Sequence, residues 1–204
     1  MVEEQVRLIR KLLGQPLPGI SAQLKMSPQH RRIPELEQTP QKAGVLLLLY
    51  PRNDDLTIIF TKRTTYDGPH SGQISLPGGK TETFDSSIIE TALREAHEEI
   101  GINPSDVEVL GMLTPLIIPV SNFEVAPVVG YMKKPSDFII DPSEVDYLIE
   151  VSFSHLVDPR IVKQKKMLLH DQMSLIPFYL IDDHEIWGAT AMIISEFVEL
   201  IKKA

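Results

Sequence analysis

A chain of 204 residues, 43% hydrophobic and 24% charged, is long enough for one soluble domain with its own core. Its formal charge of −8 argues against nonspecific binding to nucleic acid or to an anionic membrane, and no apolar run reaches the ~18–20 residues of a membrane span. The absence of cysteine excludes disulfides and thiolate chemistry, and the start lacks a signal-peptide core, so the cytoplasm is the expected compartment.

In chain order, Val2, Val6, Ile9 and Leu13 keep one face of a short N-terminal helix, with Leu8 and Leu12 beside them. That face either packs on its own domain or makes a homodimer contact. Pro16, Pro18, Pro28, Pro34 and Pro40 then mark an irregular lead-in, so residues 1–42 read as an appendage wrapping a main domain at 43–204. Residues 43–50 read as a buried strand, Arg52-Asn53-Asp54-Asp55 as a turn and 56–63 as a second strand. The stretch 61–79 is a long glycine-bearing loop, closed by a Pro77-Gly78-Gly79 bend where the backbone can approach a ligand closely.

The next helix is the most informative element. Ile89, Ala92, Leu93, Ala96 and Ile100 have the spacing of a core-facing stripe. Ser87 and Glu90 form a capping box, Glu90 precedes Arg94 at ion-pairing distance, and Gly101 ends the helix in the left-handed conformation. Glu95, Glu98 and Glu99 fan out along one border of the stripe, at the rim of the core. Like charges at this spacing cost about 0.2–0.5 kcal/mol per pair unless something neutralises them. A divalent cation held by oxygen ligands, Mg²⁺ with Mn²⁺ as substitute, does so. A lone E-x-x-E-E would otherwise be the solvated edge of a surface helix.

Gly79 followed by Arg94-Glu95-Ala96-His97-Glu98-Glu99-Ile100-Gly101-Ile102 resembles the Nudix box, G-x5-E-x7-R-E-U-x-E-E-x-G-U. Asp85 stands where the early Glu is expected, one additional residue separates it from Arg94, and Ala96 is small for its aliphatic position. The resemblance implies an α/β/α sandwich with a mixed β-sheet. It also implies a metal set of Glu95, Glu99 and the Gly79 carbonyl, with Glu98 as ligand or proton acceptor and Arg94 orienting the glutamates. Upstream, T-x-R at Thr61 and Arg63, then H-x-G-Q-x-S-x-P-G-G from His70 to Gly79, is similar to the motif of coenzyme A pyrophosphatases. Gly68 takes the place of that subfamily's second arginine. This implies substrate contacts from Arg63, His70, Gly72, Gln73 and Gly78, with Lys133 and Lys134 as further cations for a 3′-phosphate.

Beyond the helix, strands are expected near 107–114, 125–132, 147–153, 161–170 and 175–180, then a closing helix at 191–203 that ends in Lys202 and Lys203. Ser121-Asn122-Phe123 either lines a pocket or is a plain strand connection. Trp187 either stacks on an adenine or packs in the core. The acidic run 141–146 offers Glu144 as general base, or else is a solvated turn. The chemistry expected is hydrolysis of a nucleoside diphosphate linked to another moiety, with coenzyme A or an acyl derivative leading. The alternatives are an ADP-ribose or dinucleotide pyrophosphatase, and a module that binds nucleotide without turnover.

Overall fold

The structure is a computed structural model and describes residues 2–29, 39–65, 67, 71–135, 137–169 and 172–203. Helix α1 (Val2–Leu13) and the single turn α2 (Ile20–Gln23) precede a long strand β1 (Gln41–Arg52), which hairpins into β2 (Asp55–Arg63). Asn53 and Asp54 both take positive φ, 50° and 64°, the left-handed conformation that a two-residue hairpin loop requires. Two short strands, β3 (Ile74–Ser75) and β4 (Gly78–Lys80), lead to α3 (Ile88–Ile100). Then come β5 (Val107–Met112), β6 (Leu116–Ile118), β7 (Phe123–Met132) and β8 (Val145–Ser152). The turn α4 (Phe153–Leu156), strands β9 (Val162–Leu169), β10 (Gln172–Ile181) and β11 (His184–Ile186), and helix α5 (Gly188–Ile201) complete the chain.

Strands β1 to β8 form one mixed sheet in the order β3-β2-β1-β7-β5, with β4 on β1, β6 on β7 and β8 on β2. β1 and β7 run parallel, and the other neighbours antiparallel. The expected strands at 161–170 and 175–180 join β11 in a separate antiparallel sheet.

The alternation of β1 makes the layers, because successive side chains point to opposite faces. Leu46, Leu48 and Tyr50 pack on one face with Ala92, Ala96 and Ile100 of α3. Leu47 and Leu49 pack on the other with Ile194 and Phe197 of α5. This is the layered α/β arrangement expected of the sequence. The small residues at the α3 contact explain its closeness: a Cβ on Gly44 would lie 2.7 Å from the Ile88 carbonyl oxygen and 2.9 Å from the Ala92 nitrogen. Ala96, small for its place in the pattern, is fully buried there.

Helix α1 lays Val6, Ile9 and Leu12 into the same core as α5, so its packing is on its own chain. Leu12, not Leu13, is the third buried residue; Leu13 is only partly covered. The bend expected at Pro77-Gly78-Gly79 falls at Pro77, and Gly78 and Gly79 open β4, paired with residues 43–45 of β1. Among the described residues no helix is long and apolar enough to cross a membrane.

Candidate active site

Helix α3 starts and stops where its local sequence dictates. Ser87, in extended conformation, accepts a hydrogen bond from the Glu90 N–H at 3.2 Å. The Glu90 carboxylate reaches back to the Ser86 N–H at 2.7 Å and to its hydroxyl, one residue short of a reciprocal capping box. At the other end Gly101 has φ 70° and its N–H bonds the His97 carbonyl. Two further carbonyls of the last turn, Glu99 and Ile100, accept from Asp141 and Ile139 at 3.0 Å each. The orphan acceptors of the helix end thereby fasten the 139–144 loop beside the acidic edge.

The expected Glu90–Arg94 pair is absent, because Arg94 is claimed by Asp85. Nε and one terminal nitrogen of Arg94 donate to the two Asp85 oxygens at 2.9 and 3.0 Å, a bidentate pair. The Arg94 hydrogen bonds hold the Asp85 carboxyl well below the usual carboxylate range, helped by the Glu82 N–H and the Thr91 hydroxyl. The shorter side chain and the additional residue therefore leave the loop before the helix anchored. Arg94 also donates to the Lys80 carbonyl at 3.1 Å and pairs with Glu95 at 2.8 Å and Glu98 at 2.9 Å. One guanidinium thereby contacts both glutamates and the loop before the helix.

Glu95 lies against the backbone of Gly79: a Cβ there would stand 2.2 Å from a Glu95 carboxylate oxygen. Gly78 is equally confined, since its Cβ would meet the Gly44 carbonyl oxygen at 2.4 Å. Glu99 is 2% exposed, accepts from the Gly78 N–H at 3.2 Å and faces an Arg63 terminal nitrogen at 3.4 Å. Burial pushes its carboxyl up to about 8, against the opposing pull of Arg63 and the Gly78 N–H. Burial also raises Glu95, against Arg94. Glu98 stays half exposed on the outer nitrogen of Arg94. Among the described residues no three carboxylates or imidazoles converge closely enough to hold one ion as they stand.

Arg63 sits at the acidic edge itself. A register shift between Lys62 and Arg63 in the β2–β8 pairing ends the strand there. The guanidinium faces Glu99, with Glu144 at 4.0 Å, and its buried Nε has no partner among the described residues. Glu144 is half exposed, and its backbone carbonyl accepts from the Thr64 N–H at 3.0 Å. So the loop carrying Glu144 comes to the acidic edge, with Arg63 between the two carboxylates. Asp141 instead caps its own turn through Ser143.

A cleft of about 330 Å³ opens from this edge toward α5, with Arg63, Gln73, Gly78 and Gly79 among its lining residues. Ser121 and Phe123 line it too, the pocket alternative left open by the sequence. Gly72, at φ 62°, ties the preceding loop to β2, its N–H bonding the Thr64 carbonyl at 3.1 Å. His70 and Gly68 lie outside the described residues. Lys133 and Lys134 do not reach the cleft: they follow the far end of β7, a strand length of about 30 Å from Phe123. Lys133 pairs there with Glu3 at 3.3 Å. Trp187 neither lines the cleft nor is buried; its ring lies 5.9 Å from Lys165. Val45, Leu76, Val125 and Ile193, also on the cleft wall, carry no sequence signal that separates them from ordinary core. A hollow of about 420 Å³ beside the β1–β2 hairpin shares no residue with the acidic edge.

Glu95, Glu99 and the adjacent backbone are the oxygen donors that a hard divalent cation would draw together. Glu95 and Glu99 flank a glycine pair that brings backbone within contact of the carboxylates, and the most buried of them faces a single guanidinium. The model of the NUDIX domain matches residues 40–168. Nudix hydrolase 22, a chloroplastic protein of Arabidopsis thaliana, is 36% identical over 162 residues, 76% of this chain. The chain spans only 53% of that plant protein's length. The uncharacterized Nudix hydrolase NudL of Photorhabdus laumondii is 33% identical over 180 residues, 88% of this chain and 94% of the relative. Among solved structures, a MutT protein from Methanosarcina mazei Go1 superposes with a TM-score of 0.54 at 17% identity, over 83% of this chain and 100% of that one.

Proposed function

The chain belongs to the NUDIX family, and from that premise we propose that it is a divalent-metal-dependent hydrolase of nucleoside diphosphates linked to a second moiety. The observation that carries this reading is the buried Glu99 carboxylate, set beside Glu95 and the Gly78-Gly79 backbone at the mouth of a cleft. Glu95 and Glu99 would hold the ion, with Glu98 and the Gly79 carbonyl completing the set. When bound, Mg²⁺ or Mn²⁺ neutralises diphosphate charge and acidifies a water molecule. Arg94 keeps Glu95 and Glu98 in position through its contacts with Asp85 and Lys80. Glu144, half exposed beside Arg63, is the proposed proton acceptor.

Coenzyme A or an acyl derivative is the leading substrate, cleaved to 3′,5′-ADP and a 4′-phosphopantetheine species. This follows from the resemblance of the segment between Thr61 and Gly79 to coenzyme A pyrophosphatases. The test is a screen with Mg²⁺ of coenzyme A, dephospho-coenzyme A, ADP-ribose, NADH and diadenosine polyphosphates, run on the parent protein and on Glu99→Gln and Glu144→Gln. Coenzyme A should be turned over fastest. Glu99→Gln should lower turnover by orders of magnitude in a folded protein, and Glu144→Gln should lower kcat far more than it raises KM. Faster hydrolysis of ADP-ribose would replace the substrate, and near-normal turnover in Glu99→Gln would remove the catalytic centre from this helix.

A further inference from the structure

Resting on the reading of the acidic edge as the diphosphate site, we infer that the cleft between α5 and the sheet seats the non-nucleotide half of the substrate and is built for an aliphatic chain. Continuity gives the position. Arg63, Gly78 and Gly79 line the cleft and also touch Glu99 or Glu95, so a diphosphate held at the acidic edge has one of its two arms at the cleft mouth.

The wall gives the chemistry. Val45, Leu76, Ile118, Phe123, Val125 and Ile193 are apolar. Of the polar residues there, Ser75 is hydrogen-bonded to Thr61 at 3.0 Å, Thr190 donates to the Ile74 carbonyl at 3.0 Å, and Gln73 stands beside Arg63 at the acidic edge, its carbonyl accepting from the Arg63 N–H at 3.0 Å. The charged lining residues, Arg63 and Lys80, stand at the acidic edge, one facing Glu99 and the other following Gly79. Among the described residues, Ser121 is the hydroxyl on the wall whose buried oxygen has no partner.

A nucleobase or ribose placed here would bury several donors and acceptors against hydrocarbon, with too few groups to satisfy them. Among the described residues Phe123 is the only aromatic side chain lining the cleft. About 330 Å³ is at the small end for a ligand site and fits a single chain. An aliphatic arm brings little polar surface to desolvate, gains from each buried methylene more than the ordering of that methylene costs, and can place one amide or hydroxyl on the Ser121 oxygen. The adenosine half then lies outside the cleft.

Calorimetric titration of the intact chain with the n-alkyl phosphates from ethyl to octyl, with Mg²⁺ present, tests this without turnover. The dissociation constant should fall about fourfold for each methylene, the equivalent of ~0.8 kcal/mol, until the cleft is full. Ile118→Asn, on the half-buried end of β6, should flatten that dependence; Phe123→Ser serves the same purpose if Ile118→Asn fails to fold. A dissociation constant independent of chain length, or increments unchanged in the folded variant, overturns the inference. Coenzyme A hydrolysis measured alongside keeps the two readings apart. Chain-length dependence without hydrolysis sinks the proposed activity and leaves the cleft assignment standing; hydrolysis with flat binding does the reverse.

Discussion

Glu99 concentrates the chemistry of the site in one side chain. A carboxylate that is 2% exposed sheds most of its hydration, and one guanidinium at 3.4 Å does not replace it. Its carboxyl is accordingly raised from an ordinary 4.5 to about 8. The folded chain therefore holds this proton more tightly than the unfolded chain does. The stability it contributes is complete below about pH 4.5 and is lost as pH rises toward 8. In thermal melts with chelator, the parent protein should lose stability across that window, and Glu99→Gln should lose much less. Mg²⁺ favours the ionised form, so its stabilising effect should be larger at pH 8 than at pH 6. Parallel melting curves for parent and variant across this range would show that Glu99 is not the titrating group.

At the scale of elements, helices α3 and α5 carry buried charge in opposite ways. On α3, Asp85 and Arg94 pair, and the ion pair fixes the loop that bears Gly79. On α5, Glu196 is fully buried and meets only neutral donors: the Gly19 N–H at 3.0 Å, the Gln23 amide at 2.9 Å and the Thr114 hydroxyl at 2.6 Å, with the Thr114 N–H at 3.2 Å. One carboxylate thus staples α2, the connection into β6 and α5 together. All its partners are donors, so the amide nitrogen of Glu196→Gln would face an N–H or O–H it cannot accept from. Glu196→Gln should cost about 1–3 kcal/mol in chemical denaturation, the penalty of a buried unsatisfied polar group. Because β6 walls the cleft through Ile118, the same variant should weaken binding of chain-bearing ligands while sparing the acidic edge. Unchanged stability would mean that the staple is not under load.

For the whole molecule, the question is how far the two layers and the N-terminal segment act as one. Val6, Ile9 and Leu12 of α1 belong to the same buried cluster as Tyr131 of β7, Ile181 of β10 and Phe197 of α5. Burying each such side chain contributes about 1.5–3 kcal/mol. Deleting α1 should therefore lower the denaturation midpoint of the entire chain in a single transition. A truncated protein with the parent midpoint would make α1 an independent appendage. The two faces of the mixed sheet serve the site as well: β1 carries the α3 contact on one face and the cleft floor, through Ala43 and Val45, on the other.

What the sequence by itself determined is whatever neighbours along the chain decide. The start and stop of α3, its buried stripe, the positive-φ hairpin turn and the alternation of β1 follow from spacing, caps and turn residues, and each appears in the structure. The same local logic marked Glu95, Glu98 and Glu99 as one acidic edge, since three- and four-residue spacing fixes their side of the helix. Tertiary structure alone decided where the side chains remote in sequence turn. Arg63 faces Glu99 and Glu144 because strand register brings these distant charges together, and Asp85 takes Arg94 from Glu90 because the loop before the helix closes onto it with a bidentate pair. The cleft was equally illegible: its walls come from separate strands and from α5, and an apolar residue beside a cavity has the same hydrophobic pattern as one in a filled core.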